Sequence, residues 1–133
     1  MIVGIGQDLI EIQRVLKALN KDNFRTRCFT SLELDMANGN DIKLVDNFAV
    51  KEAVSKVLGT GFRTFMPKDI EVLRDTNGKP YVNLYGNALE ISNNLNITNI
   101  FVSISNTKDY TTAVAIGERI DVSNHSQNME GKL

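Results

Sequence analysis

The spacing of apolar and polar residues changes along the chain, and each spacing predicts a structural element. The first is an apolar, β-branched run from Ile2 to Gly6, which is typical of a buried strand and should end at Asp8. From residue 11 to residue 20, apolar residues recur at helical spacing while charged residues lie largely on the other face, which predicts an amphipathic helix. The chain therefore opens with a strand followed by a helix.

The longest helical pattern lies in the first half of the chain, from Ile42 to Leu58, and it stops at Gly59. Before it, Thr30 and Glu33 have the spacing of a capping box, in which a hydroxyl and a carboxylate satisfy free N–H groups at a helix start. A short helix is therefore predicted from this point to Gly39.

Shorter elements are predicted in the second half: strands over 70–74 and 81–84 joined as a hairpin, a helix over 86–95, and a closing strand pair over 100–105 and 111–117. Pro80 is expected at a strand start or an edge, because it has no backbone N–H. The predicted fold class is α+β, with an antiparallel sheet packed against the long helix. Residues 1–120 are interpreted as one domain and 121–133 as a polar, flexible tail.

Composition excludes several classes of protein. The chain has 133 residues, 42% of them hydrophobic, and a net charge of −1 from 15 Lys+Arg and 16 Asp+Glu. Near-zero charge argues against a general nucleic-acid binder. No stretch approaches the roughly 20 apolar residues of a membrane span, and the first residues lack the features of a signal peptide, so a soluble cytoplasmic protein is expected. The single Cys28 can form neither an internal disulfide nor a cysteine metal cluster.

Several common catalytic and binding motifs are absent from the sequence. Gly4 and Gly6 suggest the start of a dinucleotide fingerprint, but Leu9 stands where the third glycine is needed. No phosphate loop of the Gly-x4-Gly-Lys form occurs, and one histidine, His125, with one cysteine makes zinc ligation or Ser-His-Asp and Cys-His catalysis implausible. Carboxylate, lysine and hydroxyl chemistry remains.

The long predicted helix carries the strongest candidate site. Phe48, Glu52 and Lys56 follow one another at i, i+4 spacing and so share one face. For the helix alone, an ordinary surface ion pair between Glu52 and Lys56 is the commoner explanation. A functional site needs a second carboxylate, and Asp8 is the candidate, since two oxygen ligands with phosphates and waters usually hold Mg²⁺. The alternative for Asp8 is the N-cap of a helix starting near Ile10.

Five stretches, in order over residues 1 to about 120, carry a family resemblance: Gly4 to Ile12 with Arg14, Phe29-Thr30 with Glu33, Phe48 to Lys56 with Leu58 to Gly61, Gly78-Lys79-Pro80, and Val102 to Ser105. They resemble the holo-[acyl-carrier-protein] synthases, the small-subunit type of 4′-phosphopantetheinyl transferase. The resemblance implies Mg²⁺-dependent transfer of 4′-phosphopantetheine from coenzyme A to a serine of apo acyl carrier protein, with release of 3′,5′-ADP, in fatty acid biosynthesis. It also implies a homotrimer with active sites at subunit boundaries.

The resemblance implies roles for individual residues. Asp8 and Glu52 would hold Mg²⁺ against the coenzyme A pyrophosphate, and Lys56 would contact the same phosphates. Glu52, Asp8 and a metal-bound water are the alternatives for accepting the serine proton. Coenzyme contacts are implied for Pro80, Ser105, Asn106 and Thr107, and backbone contacts to phosphate are considered for Gly59 and Gly61. A helix C-cap is the alternative for the glycines, and turn chemistry is the alternative for Pro80.

Asn106 departs from the family pattern, which has histidine after Ser-x-Ser. Asparagine can donate a hydrogen bond but carries no charge, so weaker coenzyme A binding than in a histidine-bearing relative is predicted. This departure motivates an alternative function, a catalytically weak module that binds coenzyme A or acyl carrier protein. A third hypothesis is a free-standing metal-binding domain in which Glu52 and Lys56 are only structural.

The overall charge balance conceals a basic segment. Residues 11–30 hold five basic and two acidic side chains, a local charge of +3. Such a run is usually a solvated helix face. Because acyl carrier proteins are acidic, the resemblance favours a docking surface instead, whose expected residues are Arg14, Lys17, Lys21 and Arg25.

Overall fold

The computed structural model describes residues 1–121 of the chain. Within them lie five strands and five α-helices: β1 (Ile2–Glu11), α1 (Ile12–Leu19), α2 (Phe24–Cys28), α3 (Ser31–Ala37), α4 (Asp41–Leu58), β2 (Ile70–Arg74), β3 (Pro80–Leu84), α5 (Gly86–Asn94), β4 (Asn99–Asn106) and β5 (Tyr110–Glu118). Two 3₁₀ turns, Gly61–Arg63 and Pro67–Asp69, connect α4 to β2. Apart from Asp121, the predicted tail lies outside the described residues.

The predicted α+β architecture is confirmed. Strands β1, β5 and β4 form an antiparallel three-stranded sheet in that order, and β2 and β3 form a separate hairpin. Helix α4 packs across the larger sheet, and its buried side chains form half of the main core: Ala49, Val50, Ala53, Val54, Val57 and Leu58. A second apolar cluster holds α1, α2 and α3 against the start of α4. None of the helices within residues 1–121 is long and apolar enough to cross a membrane.

The first strand differs from the prediction. It continues through Asp8 to Glu11, because β5 pairs with it along its whole length, with Asp8 opposite Ala113 and Glu11 opposite Tyr110. Asp8 is therefore a strand residue, and the N-cap alternative for it is wrong: Glu11 occupies the N-cap position of α1.

Two further comparisons concern the helices. The capping box of Thr30 and Glu33 is confirmed at the start of α3. The short helix α2 was not predicted, since five residues are too few to display a helical period. It follows Asn23, whose φ of 66° turns the chain sharply after α1.

Glycines on β1 set how closely this strand approaches α4. A Cβ placed on Gly6 would lie 1.9 Å from the carbonyl oxygen of Ala53, and one on Gly4 would lie 3.1 Å from that of Val57. No larger residue fits at position 6 without separating the strand from the helix. The backbone of β1 therefore lies directly on α4, and this contact brings Asp8 to the helix.

Candidate active site

Asp8 on β1 and Lys56 on α4 form the ion pair at the centre of the candidate site. The Lys56 ammonium donates to Asp8 Oδ1 at 3.2 Å and to the carbonyl oxygen of Gln7 at 2.7 Å. The hydroxyl of Thr112 donates to the Asp8 carbonyl oxygen at 2.8 Å, which ties this stretch of β1 to β5. The ion-pair partner of Lys56 is thus a residue 48 positions away, so the simple surface pair with Glu52 is not what the structure contains.

Glu52 is half-buried beside this pair, and its electrostatic surroundings are unusual. Burial raises the pKa of Glu52, and the negative charge of Asp8 raises it further, while the cations Lys56 and Arg14 act in the opposite direction. A raised carboxyl pKa means that the anion is disfavoured where it lies. The two carboxylates therefore repel each other, and a cation placed between them is favoured.

A cavity of about 370 Å³ opens beside the two carboxylates. Its polar side is formed by Asp8, Glu52 and Arg14, and its apolar side by Leu9, Ile10, Val15, Ala18, Phe24 and Phe48. The rings of Phe24 and Phe48 lie 5.9 Å apart, centroid to centroid. Phe24 could not be recognised from the sequence, because it lies in the unpredicted helix α2 and carries no motif of its own.

The predicted basic surface is formed by α1 and the loop after it. Arg14, Lys17 and Lys21 are exposed, Arg14 and Lys17 lie three residues apart on α1, and Arg14 also lines the cavity. Arg25 differs from them, because its guanidinium forms a bidentate ion pair with Asp41 at 2.7 and 2.9 Å. Three of the four predicted docking side chains therefore offer exposed positive charge, and the fourth is already paired.

A second cavity, of about 490 Å³, contains part of the predicted coenzyme set. Its lining includes Pro80 and Asn106 together with Asp46, Arg74, Gly78 and Lys79. The Asn106 amide donates to both Asp46 carboxylate oxygens at 3.0 and 3.1 Å, and the hydroxyl of Thr111 donates to Asp46 Oδ1 at 3.0 Å. Asp46 was not singled out from the sequence, where it looks like one more charge on an amphipathic helix.

The other predicted coenzyme residues lie elsewhere. Ser105 is on the exposed face of the sheet, and Thr107 accepts a hydrogen bond from the Tyr110 N–H in the β4–β5 turn at 3.2 Å. Gly59 has a φ of 83°, and its N–H donates to the carbonyl oxygens of Ser55 and Lys56, both at 3.1 Å. Gly59 thus acts as the helix C-cap, as its alternative interpretation had it, while Gly61 begins the following 3₁₀ turn.

Helix α4 separates the two cavities. Asp46 and Glu52 are six residues apart on it, which corresponds to about 9 Å along the axis and about 120° around it. Asp8 approaches α4 from β1 and Asn106 approaches it from β4, and these two strands are the opposite edges of the sheet. The sequence-predicted residues therefore form two half-sites in one chain.

A family model and a known relative both match most of this chain. Residues 4–115 match the family model described as the 4′-phosphopantetheinyl transferase superfamily. The chain is 52% identical over 120 residues to the holo-[acyl-carrier-protein] synthase of Lachnoclostridium phytofermentans, covering 90% of this chain and 98% of the relative.

Solved structures show the same likeness. The acyl carrier protein synthase of Plasmodium yoelii with ADP bound superposes with a TM-score of 0.81 at 33% identity, covering 91% of this chain and 98% of that one. A holo-(acyl-carrier-protein) synthase from Bacillus anthracis in complex with coenzyme A (3′,5′-ADP) has a TM-score of 0.72 at 35% identity, with 90% and 99% covered. With the family model and the close relative, these likenesses establish that the chain belongs to the holo-[acyl-carrier-protein] synthase family of the 4′-phosphopantetheinyl transferase superfamily.

Proposed function

We propose that this chain transfers 4′-phosphopantetheine from coenzyme A to a serine hydroxyl of an apo acyl carrier protein, with Mg²⁺ and with release of 3′,5′-ADP. The observation that carries the proposal is the meeting of Asp8 and Glu52 beside Lys56 and Arg14, at the mouth of a cavity. Two anions and two cations in one place suit a pyrophosphate that carries Mg²⁺, because the carboxylates would hold the metal and the cations would contact the phosphates.

The residues present fit Mg²⁺. Hard carboxylate oxygens are its preferred protein ligands, and one or two of them suffice when phosphates and waters complete the shell. Asp8 and Glu52 supply such a pair, while no group of three or more acidic, histidine or cysteine side chains suited to a metal occurs within residues 1–121. When bound, the ion would neutralise charge on the pyrophosphate oxygens.

Lys56 and Arg14 would complete the phosphate site. The Lys56 side chain is 51% exposed and is held by Asp8 and by the Gln7 carbonyl, so its ammonium is oriented and still accessible to a ligand. In the reaction, the serine oxygen forms a bond to the β-phosphorus, and the bond from that phosphorus to the bridging oxygen of 3′,5′-ADP breaks. Phosphoryl transfer of this kind depends mainly on in-line positioning and charge neutralisation.

The serine proton must pass to a base during this step. Glu52 is the stronger candidate of the two carboxylates, because Asp8 already accepts a hydrogen bond from Lys56.

The carrier protein would dock on α1. Arg14, Lys17 and Lys21 present exposed positive charge, which suits an acidic partner. Because Arg14 lines the same cavity as Glu52, docking here would bring the partner's serine close to Glu52. The apolar wall around Phe24 and Phe48 lies beside this surface and gives the partner's apolar side chains a place to pack.

The separation of the two half-sites by α4 favours an assembly of copies, and we propose the homotrimer. The outward face of the sheet carries Ile5, Leu9 and Phe101, which are 67%, 66% and 51% exposed. Ile5 and Phe101 both lie opposite Ile116, so they form one apolar patch across the sheet. In the proposed trimer, neighbouring copies would cover this patch, and a complete site would combine the Asn106 half-site of one chain with the Asp8 half-site of another.

Mass spectrometry tests the activity directly. The protein is incubated with Mg²⁺, coenzyme A and an apo acyl carrier protein that another transferase is known to modify, and the expected product is a carrier with one added phosphopantetheine. Asp8→Asn and Glu52→Gln should each abolish the product, while Glu90→Gln, an exposed carboxyl change on α5, should not. A carrier that gains no mass would overturn the proposed transfer and leave the binding module and the free-standing metal-binding domain as alternatives.

The oligomeric state has its own test. Native mass spectrometry should show three chains, and Ile5→Glu should give monomers that bind coenzyme A more weakly. A wild-type monomer with full activity would contradict the composite site.

A further inference from the structure

The residue before Glu52 is a completely buried lysine. Lys51 has no exposed surface, and its ammonium donates to Glu33 Oε1 at 2.7 Å, to the Pro67 carbonyl oxygen at 3.1 Å and to the Ile70 carbonyl oxygen. An ammonium has three N–H groups, so all of them are used. The three acceptors belong to α3, to the second 3₁₀ turn and to β2, and the aromatic ring of Phe29 lies 5.2 Å from the charge.

Glu33 and Asn47 extend this network. The second carboxylate oxygen of Glu33 accepts from the Asn47 amide at 3.0 Å, and the same amide donates to the Val72 carbonyl oxygen at 2.9 Å. The first oxygen also accepts from the Thr30 N–H of the capping box at 3.1 Å. Asn47 and Lys51 are four residues apart on α4, so one face of this helix is bonded to α3 and β2 at two successive turns.

A different side of α4 carries the groups proposed for catalysis. Glu52 lies about 100° around the helix from Lys51, and Lys56 about 140°. A rotation of α4 by about 10° would move a side-chain tip by about 1 Å, since such tips lie about 5–6 Å from the axis. A misplacement of this size is enough to cost about 100-fold in rate.

An ion pair is not needed merely to stabilise this position. Burying two charges carries a large desolvation penalty, and well-packed apolar residues of similar size are often as stabilising or more so. Directional hydrogen bonds differ from apolar contacts in that they weaken steeply as their angle departs from linear, so they favour one rotation and one axial position of the helix.

Resting on the proposed function, we infer that Lys51 and Glu33 are positioning residues, which lock the rotation of α4 so that Glu52 faces Asp8. Neither Lys51 nor Glu33 lines the cavity, and Lys51 has no remaining N–H for a substrate. Their effect on the reaction is transmitted through the geometry of the helix alone.

The test removes both charges together. In the double variant Lys51→Met/Glu33→Gln no buried charge is left unpaired, and the glutamine keeps an oxygen for the Thr30 N–H. Mn²⁺ titrated against the full chain probes the two carboxylates without coenzyme A or carrier. The expected result is a cooperative thermal transition with Mn²⁺ affinity lowered about 10- to 100-fold. The transfer kcat should fall as well, while KM for the carrier stays unchanged, because the α1 surface is untouched.

Val45→Ala is the matched control, because Val45 is also fully buried on α4 but belongs to the second apolar cluster. It should lower the melting temperature while keeping Mn²⁺ affinity. If the double variant does not fold, Asn47→Leu removes one pair of bonds and leaves the ion pair, and its Mn²⁺ affinity should fall severalfold.

Equal Mn²⁺ affinity in wild type and double variant would overturn the positioning role alone, as would an equal loss in Val45→Ala. A wild-type protein that binds no Mn²⁺ would instead overturn the proposed metal site and this inference with it.

Discussion

Replacing Gly6 with alanine tests whether the contact between β1 and α4 builds the site. The added Cβ would lie 1.9 Å from the Ala53 carbonyl oxygen, 2.9 Å from its carbonyl carbon and 3.0 Å from the Lys56 Cβ. The nearest atom is backbone and cannot rotate away. Since comfortable non-bonded separations between heavy atoms begin at about 3.5 Å, the strand and the helix must move apart by more than about 1 Å.

The consequences of this movement follow from its size. Overpacking of a well-packed contact typically destabilises a protein by about 1–3 kcal/mol, so the free energy of unfolding should fall by about that amount. Asp8 lies two residues further along β1 and would move away from Glu52 with the strand. A shift of about 1 Å should reduce the transfer rate by about 100-fold.

Urea denaturation measures the stability change, and the mass-shift assay under single-turnover conditions measures the rate. Gly4→Ala is the control, because its Cβ would meet the Val57 carbonyl oxygen at 3.1 Å, which a shift of a few tenths of an ångström relieves. It should change the free energy of unfolding by less than about 1 kcal/mol, helped by the lower entropy of the unfolded chain. Equal stability and equal rate in the two variants would refute the argument that Gly6 sets the distance between the carboxylates.

Three further predictions concern single side chains. Burial alone would raise the pKa of Glu71, but hydrogen bonds from three neighbouring side chains hold this pKa below its ordinary value. The ionised Glu71 therefore stabilises the fold fully above the ordinary pKa, and this stabilisation is lost as the pH falls through the lowered pKa. Tyr85→Phe removes the 2.8 Å bond and should cost about 1 kcal/mol at neutral pH and less in acid; urea denaturation showing the same loss at every pH would contradict this. Asn106→His should bind coenzyme A more tightly in a calorimetric titration, and equal or weaker binding would count against the importance of this position. Arg14→Glu should raise KM for the carrier, as should added salt, and an unchanged KM in both experiments would exclude electrostatic docking.

The elements of this fold could be predicted from the sequence because periodicity is a local property. The bounds of α4 and of the β2–β3 hairpin lie within a residue or two of the predicted ones, and the capping box at Thr30 is where its motif placed it. Where a distant segment determines the outcome, the prediction was wrong or missing. Strand β1 runs past Asp8 because β5 continues to pair with it, and no pattern within residues 2–11 reports that partner.

The candidate site divides in the same way. The sequence and its resemblance named Asp8, Glu52 and Lys56, since each stands in a recognisable local motif. Packing decided which of them pair. Helical spacing indicated Glu52 as the partner of Lys56, but the structure pairs Lys56 with Asp8, 48 positions away. The bond between Asp46 and Asn106 spans 60 positions and was likewise beyond any local pattern.

The sequence by itself therefore determined four of the five described helices, most strand bounds and the chemistry available, because these depend on residue type and spacing. Only the tertiary structure decided that Lys51 is buried on three acceptors, that Gly6 lets a strand lie against a helix, and that α4 stands between two half-sites. The physical reason is that burial, pairing and close approach depend on which distant segments pack together. Local sequence patterns indicate the chemistry of a residue but not which distant residues contact it.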